Sequence, residues 1–209
     1  MLSFSFHLIM VEFPLRGCGH MFFYQDQDIS MRLLEPRDAR SLYLLIQRSR
    51  EHLREWMLWV DTTRTEEDSM AFIQGAMQQA LQNSGFQAGI WSHGELVGII
   101  GTHQIEWINR TVSIGYWLGE GHQGKGIMTK ACKAVIQYLF EECGLHRIEI
   151  RAAVDNKKSR RIAERLSFSL EGILRQCEWL GNYFTDHCVY ALLQPEYMEQ
   201  KAHSLNQRT

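Results

Sequence analysis

The segment G-H-Q-G-K-G-I-M-T-K-A, residues 121–131, decides the fold prediction for this chain of 209 residues. It follows a strand-like run from Ser113 to Leu118 and leads into a helix-like run that continues to about Phe140. Glycines let the backbone approach a ligand closely, and a helix N-terminus presents unpaired N–H groups at the positive end of its dipole. The segment therefore predicts a site for a phosphate-bearing ligand.

Three phosphate-binding patterns fit this segment. Gly119, Gly121 and Gly124 form G-x-G-x-x-G, the fingerprint of dinucleotide-binding folds. A P-loop starting at Gly119 lacks its final Ser/Thr, because Gly126 stands where the Mg²⁺-binding hydroxyl belongs. The third pattern, Q-x-x-G-x-G/A, is present with closer glycines as Q-G-K-G at residues 123–126. The segment lies past the middle of the chain, and the next acidic strand end comes later than a dinucleotide fold requires, so both nucleotide patterns are weakened.

Length and composition limit the class of protein. With 209 residues and 45% hydrophobic content, the chain suits one domain with a full core. The formal net charge of −2 gives no electrostatic case for nucleic-acid binding. The five cysteines include no C-x-x-C and no zinc spacing, and the nine histidines include no H-E-x-x-H. We therefore expect a reduced, cytoplasmic protein that binds no metal.

The globular pattern begins at about Ile29. Residues 1–10 are apolar, but they lack a basic flank, a cleavage site and the length to cross a membrane. Residues 1–28 are therefore interpreted as a non-catalytic N-terminal extension, within which Met21 is an alternative start. The domain is expected at residues 29–194 and a C-terminal tail at residues 195–209, without membrane association.

Hydrophobic periodicity predicts the element order β-α-α-β-β-β-α-β-α-β-β for this domain. Apolar residues recur at helical spacing in two segments between the first strand and Leu81. The period then changes to two, with a hairpin that turns at His93 and Gly94. After the glycine segment we expect a helix, a strand at residues 147–154, a short helix at residues 156–166 and two final strands.

The glycine segment resembles the pyrophosphate-binding loop of the GNAT superfamily of N-acetyltransferases, in the form used by its RimJ/RimL branch. A second block has the order of the same branch: D-N-K-K-S at residues 155–159, Phe168, L-E-G at residues 170–172 and E-W-L at residues 178–180. Together with I-G-Y-W-L at residues 114–118, the set is specific. The element order also fits the GNAT fold, an α/β (α+β) fold whose mixed sheet of about seven strands is flanked by helices. The resemblance covers nearly the whole chain.

The resemblance implies transfer of an acetyl group from acetyl-CoA to an amine, by direct attack in a ternary complex and without a metal. Backbone amides of the glycine segment are implied to hold the pyrophosphate, and Asn156 to contact the pantetheine arm. A solvated lysine at a helix start explains Lys125 equally well. The implied cofactor-binding residues are Trp117, Leu118, His122, Gln123, Gly124, Lys125, Gly126, Ile127, Asn156 and Ser159.

Glu178 is the implied base for the amine, and Ser159 is the candidate that protonates the leaving thiolate. The chain departs from the usual pattern, because Leu166 stands near the position of the thiolate-protonating tyrosine and Ser167 replaces a glycine. Without the resemblance, Glu178 is a solvent-facing glutamate in an alternating strand. Ser159 is likewise explained by a helix cap that it forms with Asn156. These alternatives stay open.

The implied acceptor is the N-terminal α-amine of a ribosomal or similar protein. An α-amine has a pKa of about 7.7–8.0, against about 10.4 for lysine, so a modest base is enough. Trp56 and Trp59 are candidate substrate-binding residues together with Glu178, although core packing explains both tryptophans as well. The alternatives are a small amine, such as a polyamine, amino sugar or antibiotic, and a CoA-binding sensor without activity. A homodimer is expected from the fold.

Overall fold

A computed structural model describes residues 23–206, with side chains over residues 24–203. Within this part of the chain, eight strands form one sheet: Phe23–Gln25 (β1), Ser30–Leu33 (β2), Gln87–Ser92 (β3), Glu95–Thr102 (β4), Thr111–Leu118 (β5), Arg147–Ala153 (β6), Ser169–Trp179 (β7) and Phe184–Leu193 (β8). Their spatial order is β1-β2-β3-β4-β5-β6-β8-β7, and β5 and β6 are the parallel pair in an otherwise antiparallel sheet. The predicted mixed α/β fold is confirmed, with one strand more than the approximate expectation.

The same described residues contain the α-helices Ala39–Arg48 (α1), Arg50–Arg54 (α2), Glu66–Leu81 (α3), Ile127–Glu141 (α4), Lys157–Arg165 (α5) and Gln194–Asn206 (α6). None of these helices has the length and apolarity needed to cross a bilayer. Residues 1–22 of the predicted extension lie outside the described residues, but the remainder of that segment contains β1, which pairs with β2. The segment predicted as a C-terminal tail is largely covered by α6.

Local sequence signals place these elements. The Thr65 Oγ1 accepts the Asp68 N–H at 3.3 Å and the Asp68 carboxylate accepts the Thr65 N–H at 2.9 Å, a capping box that starts α3. His93 and Gly94 have φ of 51° and 80°, the left-handed backbone that a tight hairpin between β3 and β4 requires. The first predicted helix is divided, because α1 ends before the buried Ser49 and α2 begins after it.

Hydrophobic clusters cover both faces of the sheet. On one face, which we call the α4 face, Met128 and Val135 of α4 pack against the strands. On the other, the α1 face, Leu45 of α1 and Ile73 of α3 pack against Ile99 of β4. Because successive strand residues point to opposite faces, a side chain whose neighbours join one cluster lies on the other face.

β5 and β6 separate along part of their length. Their paired residues run from Thr111 opposite Arg147 to Ile114 opposite Ile150. β5 nevertheless continues to Leu118, and β6 to Ala153. The sheet therefore opens beyond Ile114 into a gap between the two strands. The glycine segment lies at the end of β5, on the same side as this gap.

Candidate active site

The glycine segment has the backbone shape that a bound phosphate requires. Gly121, Gly124 and Gly126 have φ of 81°, 76° and 77°, and a Cβ added to any of them meets open space within 4 Å. Gly126 is the N-cap residue of α4, and no side chain caps this helix. The first N–H groups of α4 thus lie beside three exposed glycines, an arrangement that suits a pyrophosphate.

Helices α1 and α2 fasten the start of the glycine segment. The Ser49 Oγ, at the break between these helices, accepts the Glu120 N–H at 2.9 Å. A Cβ on Gly119 would lie only 2.4 Å from the Leu45 Cδ1, so a larger residue here would require the buried Leu45 side chain to move. The division of the first predicted helix thus gives the loop its anchor.

Gln123 fastens the same segment from within. Its side-chain amide donates to the Gly119 carbonyl at 2.6 Å and to the Leu118 carbonyl at 3.1 Å, and it lies 2.9 Å from the His52 Nε2. The side chain is therefore used to close the loop onto the strand end and α2. What Gln123 offers a cofactor is its backbone N–H.

The remaining predicted residues of the segment differ in exposure. Ile127 is 6% exposed and belongs to the α4-face cluster, so it offers a backbone N–H and anchors the helix start. Lys125 is exposed, His122 and Leu118 are half-buried, and the His122 N–H donates to the Gly119 carbonyl at 3.3 Å. The segment therefore presents backbone groups and one solvent-facing cation.

A pair of hydroxyls bridges the gap between β5 and the start of α5. The Ser159 Oγ donates to the Tyr116 Oη at 3.2 Å, and the Tyr116 O–H donates to the Ser159 carbonyl at 3.2 Å. Burial raises the pKa of Tyr116, so its phenol stays protonated and keeps this arrangement over the physiological range. The Asn156 Oδ1 accepts the Ser159 N–H at 3.1 Å, which is the helix cap that the alternative interpretation predicted. This cap uses the Ser159 backbone N–H, so the Ser159 hydroxyl is free of it and lies beside the gap next to Tyr116.

Tyr116 was not singled out in the sequence analysis. It lies in the I-G-Y-W-L run, where a half-buried strand tyrosine is ordinary. Its contact with Ser159 joins residues far apart in sequence, and only the fold brings them together.

Glu178 forms a close pair with a histidine on the neighbouring strand. The Glu178 Oε2 lies 2.7 Å from the His187 Nε2, with side-chain exposures of 44% and 17%. Cys188 and Tyr190 belong to the α4-face cluster, so His187 lies on the α1 face. His187 is paired with Ala153, at the end of β6 where the gap opens. Glu178 was predicted from the sequence as a site residue, whereas His187 was not.

An aromatic pair lies on the same face. The ring centroids of Trp59 and Trp117 are 5.8 Å apart with an interplanar angle of 51°, and Trp117 packs against the α1-face cluster. Trp59 is 40% exposed, whereas Trp56 is half-buried. Trp117, predicted with the cofactor residues, thus has its ring beside a predicted substrate residue.

These features define a class of protein. A sheet that opens beside a glycine loop and a helix N-terminus can admit an extended, phosphate-bearing carrier between its strands. Beside this opening, the hydroxyls of Tyr116 and Ser159 lie on the α4 face, and Glu178 and the aromatic pair lie on the α1 face. Among the described residues, no group of three or more His, Cys, Asp or Glu is placed to hold a metal ion. The fold and the site are those of an acyl-CoA-dependent transferase.

The family described as the acetyltransferase (GNAT) domain matches residues 28–169, and the chain belongs to this family. It is 36% identical over 177 residues to the putative ribosomal N-acetyltransferase YdaF of Bacillus subtilis, covering 84% of this chain and 97% of that protein. It is 33% identical over 165 residues to the ribosomal-protein-serine acetyltransferase of Escherichia coli, covering 79% of this chain and 92% of that protein.

Among solved structures, RimL, a ribosomal α-N-protein acetyltransferase in complex with coenzyme A, superposes with a TM-score of 0.78 at 27% identity. The match covers 80% of this chain and 95% of that one. The predicted family, its RimJ/RimL resemblance and the class of acetyl-CoA-dependent N-acetyltransferase are confirmed.

Proposed function

We propose that this chain transfers the acetyl group of acetyl-CoA to the N-terminal α-amine of a protein, and that the acceptor is a ribosomal protein. The observation that carries the proposal is the gap between β5 and β6, which has the glycine segment at its end and Glu178 beside it on the α1 face. Two relatives named for ribosomal-protein acetylation, each matched over more than nine-tenths of its length, support the choice of acceptor.

In this proposal each side of the gap has one task. The N–H groups from Gln123 to Ile127 hold the pyrophosphate of acetyl-CoA, and each charge-assisted bond contributes about 1.5–3 kcal/mol. Glu178 accepts the proton of the acceptor ammonium, which frees its lone pair to attack the acetyl carbon. Ser159, held by Tyr116, donates a hydrogen bond to the leaving sulfur. Trp59 and Trp117 form an apolar wall for the acceptor chain.

An α-amine suits this site better than a lysine side chain. The difference between their ordinary pKa values makes deprotonation of a lysine cost roughly 3 kcal/mol more at neutral pH. Glu178 is nearly half exposed and reaches solvent from the strand end, so a chain terminus has access to it. Two other carboxylates on β7 and β8 are bound within the protein, Glu171 by Arg147 and Asp186 by the Gln176 N–H, so they give no reason to favour a polyamine.

Release of free thiol from acetyl-CoA tests the proposal. Peptides with serine or alanine at a free N-terminus are compared with the same peptides blocked by N-terminal formylation, and with polyamines and aminoglycosides. We expect turnover on the free peptides and none on the blocked ones. Turnover confined to small amines would overturn the acceptor while keeping the enzyme class, and CoA binding without any turnover would favour a sensor.

The Glu178→Gln variant separates the enzyme from the sensor. The amide keeps the shape of the side chain and cannot take a proton, so we expect kcat to fall by about 10²-fold or more. The dissociation constant for CoA, measured by calorimetry, stays unchanged. Glu67→Gln, on the exposed surface of α3, is the matched control and leaves both quantities unchanged. A Glu178→Gln enzyme with wild-type kcat would remove Glu178 from the mechanism.

A homodimer, a cytoplasmic location and the lack of a direct nucleic-acid partner stay predictions of this proposal. The edge of the sheet supports the first of them, because β7 is the last strand and exposes Leu170 and Ile173 by 51% and 54%. An open apolar edge is a surface that a second copy can cover. Light scattering during size-exclusion chromatography measures the mass in solution.

A further inference from the structure

Glu178 reaches His187 because β7 is bulged just before it. Leu174 lies opposite His187 and Glu178 opposite Thr185, so residues 175–177 face Asp186 alone. Gln176 within the bulge has φ of 48°, and its N–H donates to the Asp186 carboxylate at 2.8 Å. Bulges of this kind re-aim side chains at functional sites. Here the two extra residues bring Glu178 opposite Thr185, two positions along β8 from His187 and on the same face of the sheet.

The contact fixes the arrangement of hydrogens in the neutral pair. An ionised carboxylate can only accept, so a neutral His187 must donate its Nε2–H to the Glu178 Oε2 at 2.7 Å. One carboxylate oxygen is thereby held, and the other is left to face the acceptor. A neutral donor orients the carboxylate, whereas a cation in the same place would stabilise its ionised form and weaken it as a base.

Other charged groups near His187 are already engaged. Arg151 of β6 shares the α1 face, and its guanidinium is bound to Glu149 at 2.8 Å. Asp186 is turned to the bulge and bound by the Gln176 N–H. Arg175 lies exposed within the bulge. Glu178 is therefore the carboxylate that directly contacts the His187 ring.

We propose that His187 is a positioning residue for this reaction. Its neutral ring donates a hydrogen bond that orients the Glu178 carboxylate, and its protonated ring reduces the ability of that carboxylate to act as a base. This inference rests on the proposed function and adds that His187 controls the basicity of Glu178. Above the titration of the ring, Glu178 accepts one proton from the acceptor ammonium. The acceptor nitrogen then bonds to the acetyl carbon as the carbon–sulfur bond breaks, and its second proton ends on the departing thiolate. Below that titration, the imidazolium pairs with the Glu178 carboxylate and the first step slows.

Two substitutions separate positioning from titration. His187→Gln can still donate an amide N–H to Glu178 and does not titrate, whereas His187→Ala removes the donor. We expect His187→Ala to lower kcat at least tenfold at pH 8, where the neutral ring is lost as a donor, with KM for acetyl-CoA unchanged. We expect His187→Gln to stay within about threefold of wild type at pH 8 and, on the acid side, to keep only the fall in rate that comes from protonation of the acceptor amine.

The ratio of kcat/KM for His187→Gln to that of wild type is the decisive quantity, because the titration of the acceptor amine cancels in it. This ratio is expected to rise as the pH falls from 8 to 5.5, because only the wild-type side chain can take up a proton at this position. A ratio that stays flat with pH, or a His187→Ala enzyme with wild-type kcat, would overturn the proposal. His203→Gln, on the exposed surface of α6, is the matched control with an unchanged profile.

A readout without turnover keeps this inference apart from the proposed function. Imidazole ¹⁵N spectra of the full chain at pH 8 are expected to show His187 protonated at Nε2. The ¹³C shift of the Glu178 carboxyl is expected to follow the titration of that ring and to lose this inflection in His187→Gln. If no acceptor is turned over, the proposed function fails while these spectra still decide the pair. The opposite tautomer, with the proton on Nδ1, would overturn the pairing itself.

Discussion

Ser159 and Tyr116 place two hydroxyls where the strands separate, and the chemistry of a thiol leaving group decides how much they contribute. A thiol has an ordinary pKa of about 8.5, so its anion leaves without full protonation, and a hydrogen bond is sufficient help. A serine hydroxyl is a poor acid by itself. The contribution of the site is therefore to orient this hydroxyl, because the Ser159 Oγ lies 3.2 Å from the Tyr116 Oη.

We expect Ser159→Ala to lower kcat by about 10- to 100-fold, the low end of what a proton-donating side chain contributes. Tyr116→Phe should lower it less, because Ser159 keeps its hydroxyl and loses only its orientation. Steady-state kinetics at saturating acetyl-CoA measure both effects. The control is Ser169→Ala on the exposed start of β7. Wild-type kcat in Ser159→Ala would leave the residue with its capping role alone.

Among the structural elements, the glycine segment is predicted to bind CoA through its left-handed backbone and the open space around it. Gly126→Ala places a Cβ at φ of 77°, which costs about 1–2 kcal/mol in stability, and it also fills the cradle in front of α4. We expect the dissociation constant for CoA to rise at least tenfold, as measured by calorimetry.

Gly144→Ala provides the matched comparison for Gly126→Ala. Gly144 has φ of 65°, open space around an added Cβ, and a position after the far end of α4. Its substitution carries a similar strain and should lower thermal stability without changing CoA affinity. Equal affinity losses in the two variants would mean that general destabilisation, and not the cradle, explains the effect.

The residue that ends α5 is strained in this chain. Ser167 follows the C-cap with φ of 61°, and its N–H donates to the Glu164 carbonyl at 3.1 Å. Ser167 stands where the usual pattern of the family has glycine, and the left-handed backbone explains why glycine is preferred there. Ser167→Gly is therefore predicted to raise the free energy of unfolding by about 0.5–1 kcal/mol, after the greater freedom of the unfolded chain is subtracted. Urea unfolding measures the change, and no gain is expected from Ser167→Ala.

Long periodic elements were predictable from the sequence because each buries one face. The strand and helix on either side of the glycine segment are observed as β5 and α4, within a few residues of the prediction. β1 was not predicted, because three residues are too few to show a hydrophobic period. The break at Ser49 was not predicted, because the Glu120 N–H that its side chain binds lies far away in the sequence. His187 escaped because the bulge in β7 sets its register with Glu178.

For the whole molecule, the two faces of the sheet carry different parts of the proposed site. The α4 face supplies the helix N-terminus and the hydroxyl pair, and the α1 face supplies Glu178, His187 and the aromatic pair. The gap between β5 and β6 is the passage from one to the other. In the proposed mechanism, activity depends on how firmly α1 is fixed to the sheet, since Ser49 at its end also binds the Glu120 N–H of the glycine segment.

A partly buried ion pair at the start of α1 connects this helix to the sheet. The Arg32 guanidinium on β2 binds both carboxylate oxygens of Asp38, each at 2.7 Å, and it stacks 4.1 Å from the Trp91 ring centroid. Asp38 is 7% exposed and also accepts the Glu35 N–H at 2.8 Å, just before α1 begins. Burial alone raises the pKa of Asp38, but the bonds from Arg32 and the Glu35 N–H outweigh it and hold the pKa below its usual value.

Asp38→Asn is therefore expected to lower the free energy of unfolding at pH 7 by about 2–3 kcal/mol, because it leaves Arg32 without its counter-charge. The folded pKa lies below the unfolded value of about 3.9, so this stability is present above that pH and is lost as the pH falls through the folded pKa. Urea unfolding of both proteins should show a difference that is constant from pH 7 to pH 5 and narrows below pH 4. Asp61→Asn removes the exposed pair with Arg54 and should cost less than about 1 kcal/mol. A difference between Asp38→Asn and wild type that persists unchanged at pH 3.5 would show that the shape of the side chain, and not its charge, fixes α1 to the sheet.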